Sequence, residues 1–428
     1  MNQRSKVPYR SPGRWSLFKN SEFSRLWSIG ALSNTIRWLE LLAIGVFVFD
    51  LTNSPFQVAM MTFLRIVPFA LFGAIAGTLT QRFKYRDIMM LGIGAMIGVT
   101  ALLALLSGLQ QIQLWHIAVG VFLSGIFWVL DFTIRRTSVG ESVEHSSVGH
   151  AMGLDALTNN GTRALGPAIA GISLQWLGLT GVYVFGVIAY VSALILTVSL
   201  RPKTMSANLS GNRIFSSLRK IRPILKDHPP LTGLLSVTLV LNLWGLPFVS
   251  MIPVIGREVL HLESLYVGLL MSSEGCGALI GALLITSIRQ QKYYRRLFVT
   301  GTILYLVTIL VFSQSNSPLQ AVTCLLVIGF GIAIFATMQS TLIILISPQN
   351  TRGLIMGLLS MCIGLGGPIG LLHMGFLADW LGPSNAIAIL SCEGILALSL
   401  VLWKWPSLWH LENTLPSTKP EPNQSAHS

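Results

Sequence analysis

Positive charge in this sequence of 428 residues is concentrated in alternate breaks between long apolar stretches. Of the 29 Lys and Arg residues, only Arg257 lies in a break of the other kind, and breaks such as 107–113 and 314–320 carry no charged residue. Lys and Arg accumulate in the cytoplasmic loops of membrane proteins. The pattern therefore predicts a multi-pass protein of the cytoplasmic (inner) membrane, with both termini in the cytoplasm.

The composition excludes a soluble protein. Mean hydropathy is +0.67 and only 11% of the residues are charged, whereas soluble domains carry about 25%. The first apolar stretch, 26–49, rises about 1.5 Å per residue as a helix and so crosses a hydrocarbon core of about 30 Å. The net charge of +13 is spread over separate loops and not gathered on one face, which argues against nucleic acid as a partner and favours anionic lipid headgroups.

No motif in the sequence indicates catalysis, a cofactor or a metal. The phosphate-binding pattern GxxxxGK[ST], the zinc pattern HExxH and the nucleophile elbow Gly-x-Ser-x-Gly do not occur. The four cysteines lie in four separate apolar stretches, so no disulfide framework is expected. We therefore expect a protein that is not an enzyme, that binds no cofactor and that takes its energy from a transmembrane gradient.

Apolar runs and polar breaks divide the chain into twelve predicted spans. The predicted fold is an all-α membrane protein with twelve transmembrane helices in two pseudo-symmetric six-helix bundles. The predicted organisation is a cytoplasmic tail at 1–25, bundles at 26–200 and 231–405, a basic, proline-containing cytoplasmic linker at 201–230, and a tail at 406–428 that is too polar to fold alone.

The two halves of the sequence share features in the same order. A Gly-Pro pair at 166–167 precedes Trp-Leu-Gly at 176–178, and a second Gly-Pro pair at 367–368 precedes Trp-Leu-Gly at 380–382. The spacing of about 200 residues between the two sets is what an internal duplication produces, and duplicated bundles around a central site are typical of transporters.

Two motifs resemble the major facilitator superfamily. Its loop between the second and third helices, Gly-x-x-x-Asp-Arg-x-x-Arg-Arg, is similar to the segment here that contains Gly77, Gln81, Arg82 and Arg86, where Gln81 replaces the acidic residue. In the family that carboxylate helps to hold the bundles closed on the cytoplasmic side, and a glutamine offers a hydrogen bond but no charge.

The second motif is the Gly-Pro-x-x-Gly-Gly element of many exporters. Gly166, Pro167 and Gly171 match it with one small-for-small change. The longer run 160–167 and the opening segment 23–27 are similar to the branch that contains macrolide efflux pumps and enterobactin exporters.

The resemblance implies a secondary transporter that alternates access by rocking two bundles, with kinks at Gly166, Pro167, Gly367 and Pro368. It implies proton-coupled efflux of a hydrophobic or amphipathic small molecule by a chain that acts as a monomer, with protons, the substrate and the bilayer as partners. Two alternatives stay open: uptake of an anionic or other small solute, and a transport-inactive receptor or lipid-handling protein on the same fold.

Charged residues inside the predicted spans mark the candidate site. Arg37 and Glu40 lie near mid-membrane in the first span and three residues apart, so that they share a helix face and are able to pair. Facing lipid, each would cost about 2.5 to 3.5 kcal/mol, so both should point inward. Glu40 is interpreted either as a proton-carrying carboxylate or as one member of a permanent structural ion pair, with Asp155 as the second candidate for the proton site.

Five further positions extend this reading, and two of them, Arg65 in the second span and Glu274 in the eighth, lie at middle depths as second-rank candidates. Arg163 in the fifth span is expected either to bind an anionic substrate group or to neutralise Glu40 or Asp155. Asp131 and Arg135 are four residues apart in the favourable order and are expected to form an ion pair on the gate side of the site.

Aromatic and amide side chains complete the candidate cavity. In the family the first, fourth, seventh and tenth helices line the central cavity, and aromatic walls suit an apolar ligand. Packing between helices, with amide hydrogen bonds from one helix to another, is the alternative. The residues concerned are Trp38, Trp128, Trp244, Asn34, Asn242 and Gln339.

Overall fold

The computed structural model describes residues 14–144, 147–201, 228–285, 288, 290–347 and 352–409, without the side chains of 14–16, 74–82, 352–354 and 357. Most of the predicted linker and parts of both predicted tails lie outside the described residues. The side chains of Gln81 and Arg82, and the surroundings of Gly77, lie outside them as well.

Helices make up the described regular structure. They are α1 (Ser21–Thr52), α2 (Pro55–Arg82), α3 (Tyr85–Gly108), α4 (Leu114–Glu141), α5 (Val148–Val198), α6 (Pro229–Val259), α7 (Ser264–Ile285), α8 (Tyr294–Phe312), α9 (Pro318–Ile346), α10 (Arg352–Leu381) and α11 (Pro383–Lys404). A π-helical turn interrupts α4 at Asp131–Arg135, and another interrupts α6 at Leu241–Gly245. π-turns of this kind often occur at functional sites.

Ten stretches among the described residues are long and apolar enough to cross a membrane. One of them is α5, whose 51 residues would measure about 76 Å as a straight helix. It does not run straight, because Gly178 has φ 65° and ψ −167°, a backbone conformation that favours glycine. The chain breaks direction there, next to Leu179, where the sequence predicts that a new span begins.

Local polar groups set the ends of α1. The side chain of Asn20 accepts hydrogen bonds from the backbone N–H groups of Glu22 at 3.0 Å and Phe23 at 3.3 Å, which satisfies donors that a helix start leaves unpaired. Asn53 ends the helix in the left-handed region with φ 49°. Asparagine tolerates this conformation better than most residues do.

Two helix pairs make most of the contact between the N-terminal half (14–201) and the C-terminal half (228–409): α5 packs on α7, and α2 packs on α10, while α1 and α2 also touch α6. Glycines bring the backbones together in both pairs. A Cβ added at Gly268 would lie 2.5 Å from the carbonyl oxygen of Pro167, and one added at Gly375 would lie 2.7 Å from the Cβ of Ala59. Small residues of this kind allow helices to approach closely in membranes.

Both Gly-Pro pairs lie inside helices at these contacts. Pro167 is inside α5, and Pro368 is inside α10. A Cβ at Gly166 would meet the Cβ of Trp38 on α1 at 2.7 Å, and one at Gly367 would meet Ile66 on α2 at 3.9 Å. The pairs thus lie where α5 and α10 meet other helices, and their role in motion stays a prediction.

We predict that Gly268→Ala destabilises the protein by about 1 to 3 kcal/mol, because the added methyl group meets a backbone carbonyl that cannot rotate away. The control is Gly153→Ala in α5, where an added Cβ meets nothing within 4 Å and where alanine favours the helix by about 0.5 to 1 kcal/mol. Thermal unfolding of the detergent-purified variants measures both. A Gly268→Ala midpoint at or above that of wild type would contradict close backbone contact between α5 and α7.

Candidate functional site

Three pairs of side chains among the described residues form polar contacts between the two halves at the helix ends opposite the basic loops. They are Arg257 Nε to Asp50 Oδ1 at 2.9 Å, Ser54 Oγ to Asp379 Oδ1 at 2.7 Å, and Gln175 Nε2 to Glu263 Oε2 at 2.8 Å. These contacts are exposed, so each contributes little on its own. Together with the glycine contacts, they hold the two halves against each other at this end.

At mid-depth, Glu40 pairs with an arginine from a different helix. Arg65 on α2 donates from Nη2 to Glu40 Oε2 at 3.3 Å, and Ser124 on α4 donates to the same oxygen at 3.2 Å. Arg65 also donates from Nη1 to the backbone oxygen of Arg37 at 3.1 Å. The expectation that the Arg37 side chain pairs with Glu40 is wrong. Arg65 reaches the carboxylate across the contact between α1 and α2, and the side chains of Arg65 and Glu40 are both buried.

The guanidinium of Arg37 points instead towards α4 and α5. Its Nη2 donates to Asn159 Oδ1 at 2.6 Å, and the group lies over the rings of Trp38 and Trp128 at 5.0 and 4.8 Å from their centroids. Indole faces attract a guanidinium, and more strongly where water is excluded. Two of the predicted cavity tryptophans therefore hold an arginine in this structure.

Arg163 pairs across the boundary between the halves. Its Nε donates to Glu274 Oε2 on α7 at 2.6 Å, and its Nη2 donates to Oε1 of the same carboxylate. This two-bond geometry is the strongest arrangement of an arginine and a carboxylate. The expectation that Arg163 neutralises Glu40 or Asp155 is wrong, because a close approach of α5 and α7 brings Glu274 nearer: a Cβ at Gly275 would lie 2.5 Å from the backbone of Arg163.

A second ionic cluster lies one to two turns closer to the basic loops. Arg135 donates to Asp131 at 3.0 Å and to Asp155 at 2.8 Å, and Arg136 donates to Asp155 at 2.9 Å. The predicted Asp131–Arg135 ion pair is thus present, and its function as a gate stays a prediction. Asp155, the second candidate for a proton site, accepts from two guanidinium groups, which favours its charged form.

The cluster around Glu40 and the cluster around Arg135 together contain one more cation than anions among the described residues. The described groups are five arginines (Arg37, Arg65, Arg135, Arg136, Arg163) and four carboxylates (Glu40, Asp131, Asp155, Glu274). Each arginine except Arg37 contacts a carboxylate. Among the described residues, Arg37 contacts an amide and two aromatic rings but no carboxylate, so an anionic ligand group here would meet a cation without a directly bonded counter-charge.

A small cavity adjoins Arg37 on the side of the inner cluster. It has room for a water molecule but not for a small-molecule substrate. Its lining contains the predicted Asn34 and is formed by Ser33, Asn34, Arg37, Ser124, Phe127, Trp128, Asp131 and Tyr190. Ser33 Oγ is buried and has no hydrogen-bond partner among the described groups, so a water molecule here would satisfy it.

The other predicted cavity residues lie in the C-terminal half and do not join this cluster. Gln339 Nε2 donates to Thr238 Oγ1 at 2.8 Å, and Asn242 Nδ2 donates to the backbone oxygen of Thr238 at 2.8 Å. Trp244 Nε1 donates to Glu393 Oε2 at 2.8 Å. The amides thus bond α9 to α6 and close a turn of α6.

Sequence reasoning missed Glu393 and underrated Arg65 and Glu274. The available signal was the same for each, an ionisable residue in the middle of an apolar stretch. In the loop motif, Arg86 lies 3.3 Å from the neighbouring Asp87 and is partly exposed, so its predicted gating role stays untested.

The geometry defines a multi-pass helical membrane protein of the transporter class, with ionic groups sealed between packed helices. A family described as transmembrane secretion effector (MFS_3), of the major facilitator superfamily, matches residues 12–426. The chain belongs to this family, as the sequence motifs predict.

Two relatives and one solved structure illustrate the likeness. The Staphyloferrin A transporter of Staphylococcus aureus (strain NCTC 8325 / PS 47) is 21% identical over 84% of this chain and 90% of its own length. Macrolide efflux protein A of Streptococcus pyogenes is 20% identical over 89% and 95%. A crystal structure of a mutant of the nucleoside transporter NupG aligns with a TM-score of 0.73 at 11% identity, over 90% of this chain and 99% of that one, which supports the fold.

We predict that Glu274→Gln lowers stability by about 3 to 5 kcal/mol, because it leaves Arg163 buried without its counter-charge. Asp50→Asn is the matched control: it breaks the exposed pair with Arg257, whose side chains are 26% and 41% exposed, and should cost about 1 kcal/mol or less. Thermal unfolding in detergent compares the two. Equal losses in both variants would show that the Arg163–Glu274 pair does not hold the halves together.

Proposed function

We propose that the protein is a secondary active transporter that alternates access and exports a hydrophobic or amphipathic small molecule in exchange for protons. The family and the two named relatives support transport across a membrane. The observation that carries the proton assignment is the contact of Glu40, buried at mid-depth, with one arginine and one hydroxyl through a single oxygen. We propose no catalytic activity, no cofactor and no metal.

The architecture that we propose has twelve spans in two six-helix bundles, 26–200 and 231–405. Ten stretches satisfy the criteria for a span; counting the two parts of α5 on either side of Gly178 separately, and adding the 32-residue α1, gives twelve. An even number of spans puts both termini on one side. The basic loops favour the cytoplasm for that side and the inner membrane as the location.

The coupling that we propose links Glu40 to the boundary between the halves through Arg163. Trp38 lies between the two arginines: the guanidinium of Arg163 is 5.0 Å from the centroid of Trp38, and so is that of Arg37. While Arg163 is paired with Glu274, its charge is neutralised. Separation of α5 from α7 removes that partner and leaves a net positive charge near Glu40, which favours its ionised form and hence proton release.

The same movement defines the proposed gates. The exposed contacts between the halves separate when the end opposite the basic loops opens, and the cluster of Asp131, Arg135 and Asp155 keeps α4 and α5 together as one body. Bends at the Gly-Pro pairs of α5 and α10 accommodate the rotation, since proline removes a helical hydrogen bond. The loop with Gly77, Gln81, Arg82 and Arg86 contributes the gate on the basic side.

Arg37 favours a second candidate function, uptake of an anionic solute. Arg37 is the arginine of the two clusters that has no carboxylate partner among the described residues, and it adjoins the small cavity. Binding of a solute there requires the space to widen between α1 and α4, whose residues form most of its lining. A substrate carboxylate would then replace the amide of Asn159 with a charged partner, which gives a stronger hydrogen bond.

We predict that Glu40→Gln reduces proton-coupled flux at least tenfold, because the amide cannot exchange a proton yet can still accept from Arg65 and Ser124. The measurement is acidification or alkalinisation inside proteoliposomes, read by a pH-sensitive dye after addition of a macrolide such as erythromycin. Glu144→Gln, which removes an exposed carboxylate between α4 and α5, serves as the control. Unchanged proton movement in Glu40→Gln would remove the proton assignment, and drug binding without flux in wild type would favour a transport-inactive receptor.

A separate measurement distinguishes uptake of an anion. We predict that Arg37→Gln weakens the binding of a tricarboxylate probe, citrate, by about tenfold if the second candidate is correct, since a charged hydrogen bond of about 1.5 kcal/mol or more is lost. Lys292→Gln, which removes an exposed cation outside the cluster and outside the proposed gates, is the control. Isothermal titration gives the affinities, and citrate flux in right-side-out and inverted vesicles gives the direction. Equal citrate affinity in Arg37→Gln and wild type would contradict this candidate.

A further inference from the structure

A second group of polar side chains lies at mid-depth in the C-terminal half, away from the cluster around Glu40. Glu393 is near the middle of α11, and its Oε2 accepts from Trp244 Nε1 at 2.8 Å. His373 on α10 places its Nδ1 3.7 Å from the same oxygen, too far for a hydrogen bond. Three helices, α6, α10 and α11, thus converge on one carboxylate.

This carboxylate differs from the others in its exposure. The side chains of Glu40, Asp131, Asp155 and Glu274 are between 2% and 7% exposed, whereas those of Glu393 and His373 are each 38% exposed. Glu393 is therefore accessible from outside the helix packing.

The surface around the pair is apolar. On α11, Leu396 and Leu400 follow Glu393 by one and two turns and are strongly exposed. On α10, Ile369 lies one turn before His373 and Phe376 one turn after it, and both are strongly exposed. Apolar side chains that face outward on a multi-pass protein contact acyl chains. The exposed parts of Glu393 and His373 accordingly lie among side chains that contact the bilayer.

An ionised carboxylate at such a position needs a cation. In membrane spans, acidic residues usually face the protein interior and pair with one another or with basic groups. Here the neighbouring base is a histidine, which carries charge only when protonated, and in the described part of the chain Oε1 of Glu393 has no partner. The half-buried Trp244 adds an aromatic surface, which attracts cations.

We propose that Glu393, His373 and Trp244 form a binding site, open to the bilayer, for a hydrophobic organic cation. The carboxylate binds the charge, the indole packs against the ligand, and the apolar stripes of α10 and α11 receive its hydrocarbon part. Protonated His373 occupies the same carboxylate and so competes with the ligand. This site is separate from the cluster around Glu40 and does not depend on the direction of transport.

Binding of radiolabelled tetraphenylphosphonium to the full-length protein in lipid nanodiscs tests the proposal. Glu393→Gln should weaken binding at least tenfold, while the amide oxygen still accepts from Trp244. His373→Gln should bind as tightly as wild type or more tightly, because the competing cation is gone. In a purely structural cluster, both variants would weaken binding. Trp244→Phe provides a second variant of the site and should weaken binding a few-fold.

Three controls separate the possible outcomes. Glu144→Gln removes an exposed carboxylate elsewhere and should bind like wild type. Tetraphenylborate has the same shape and the opposite charge and should not displace the probe. Glu40→Gln should also bind normally, so that failure of the proton assignment leaves this site unaffected. Wild-type affinity in Glu393→Gln, or equal displacement by tetraphenylborate, would overturn the proposal.

Discussion

The ion pair between Arg163 and Glu274 connects the two halves of the protein at the depth where a charge is most expensive to place. Neither group can stay in an apolar medium alone, so each half supplies the partner that the other requires. The pair sits where α5 and α7 approach so closely that Gly275 has no room for a side chain beside the backbone of Arg163. Close backbone packing and charge neutralisation therefore reinforce each other at one place.

The same requirement organises the N-terminal half. Glu40 is neutralised by Arg65 from another helix, and the inner cluster around Arg135 closes on itself. Every such pair takes its members from different helices or successive turns, which fixes how the helices lie against one another. Arg37 departs from this rule, because its support comes from Asn159 and from indole faces. An anionic ligand would therefore contribute most at Arg37, where it would supply a charged partner.

The sequence alone predicted the family and the helical membrane fold, because hydropathy and loop charge depend on the bilayer and not on tertiary detail. The break in α5 was also predictable, since Gly178 follows an apolar run and a tryptophan. The Asp131–Arg135 pair followed from spacing within one helix. Local rules thus suffice where both partners belong to the same element.

Spacing within one helix could not predict which charged residues from different helices form pairs. Arg37 and Glu40 share a helix face, yet Arg65 displaces Arg37, because the contact between α1 and α2 decides which guanidinium reaches the carboxylate. Glu274 is only a second-rank candidate in the sequence for the same reason. It joins the site through its contact with Arg163, which is 111 residues away in the chain.

In the coupling that we propose, the charge state of the central site depends on the packing of the halves. Arg163 and Arg37 share the ring of Trp38, with 5.0 Å from each guanidinium to its centroid. As long as α7 supplies Glu274, the positive charge of Arg163 is neutralised. Once α5 and α7 separate, the same guanidinium adds its charge beside Arg37, and an anion is stabilised there: an ionised Glu40, or a ligand between the two tryptophans. Movement of the halves and the ionisation of the site are in this way two aspects of one equilibrium.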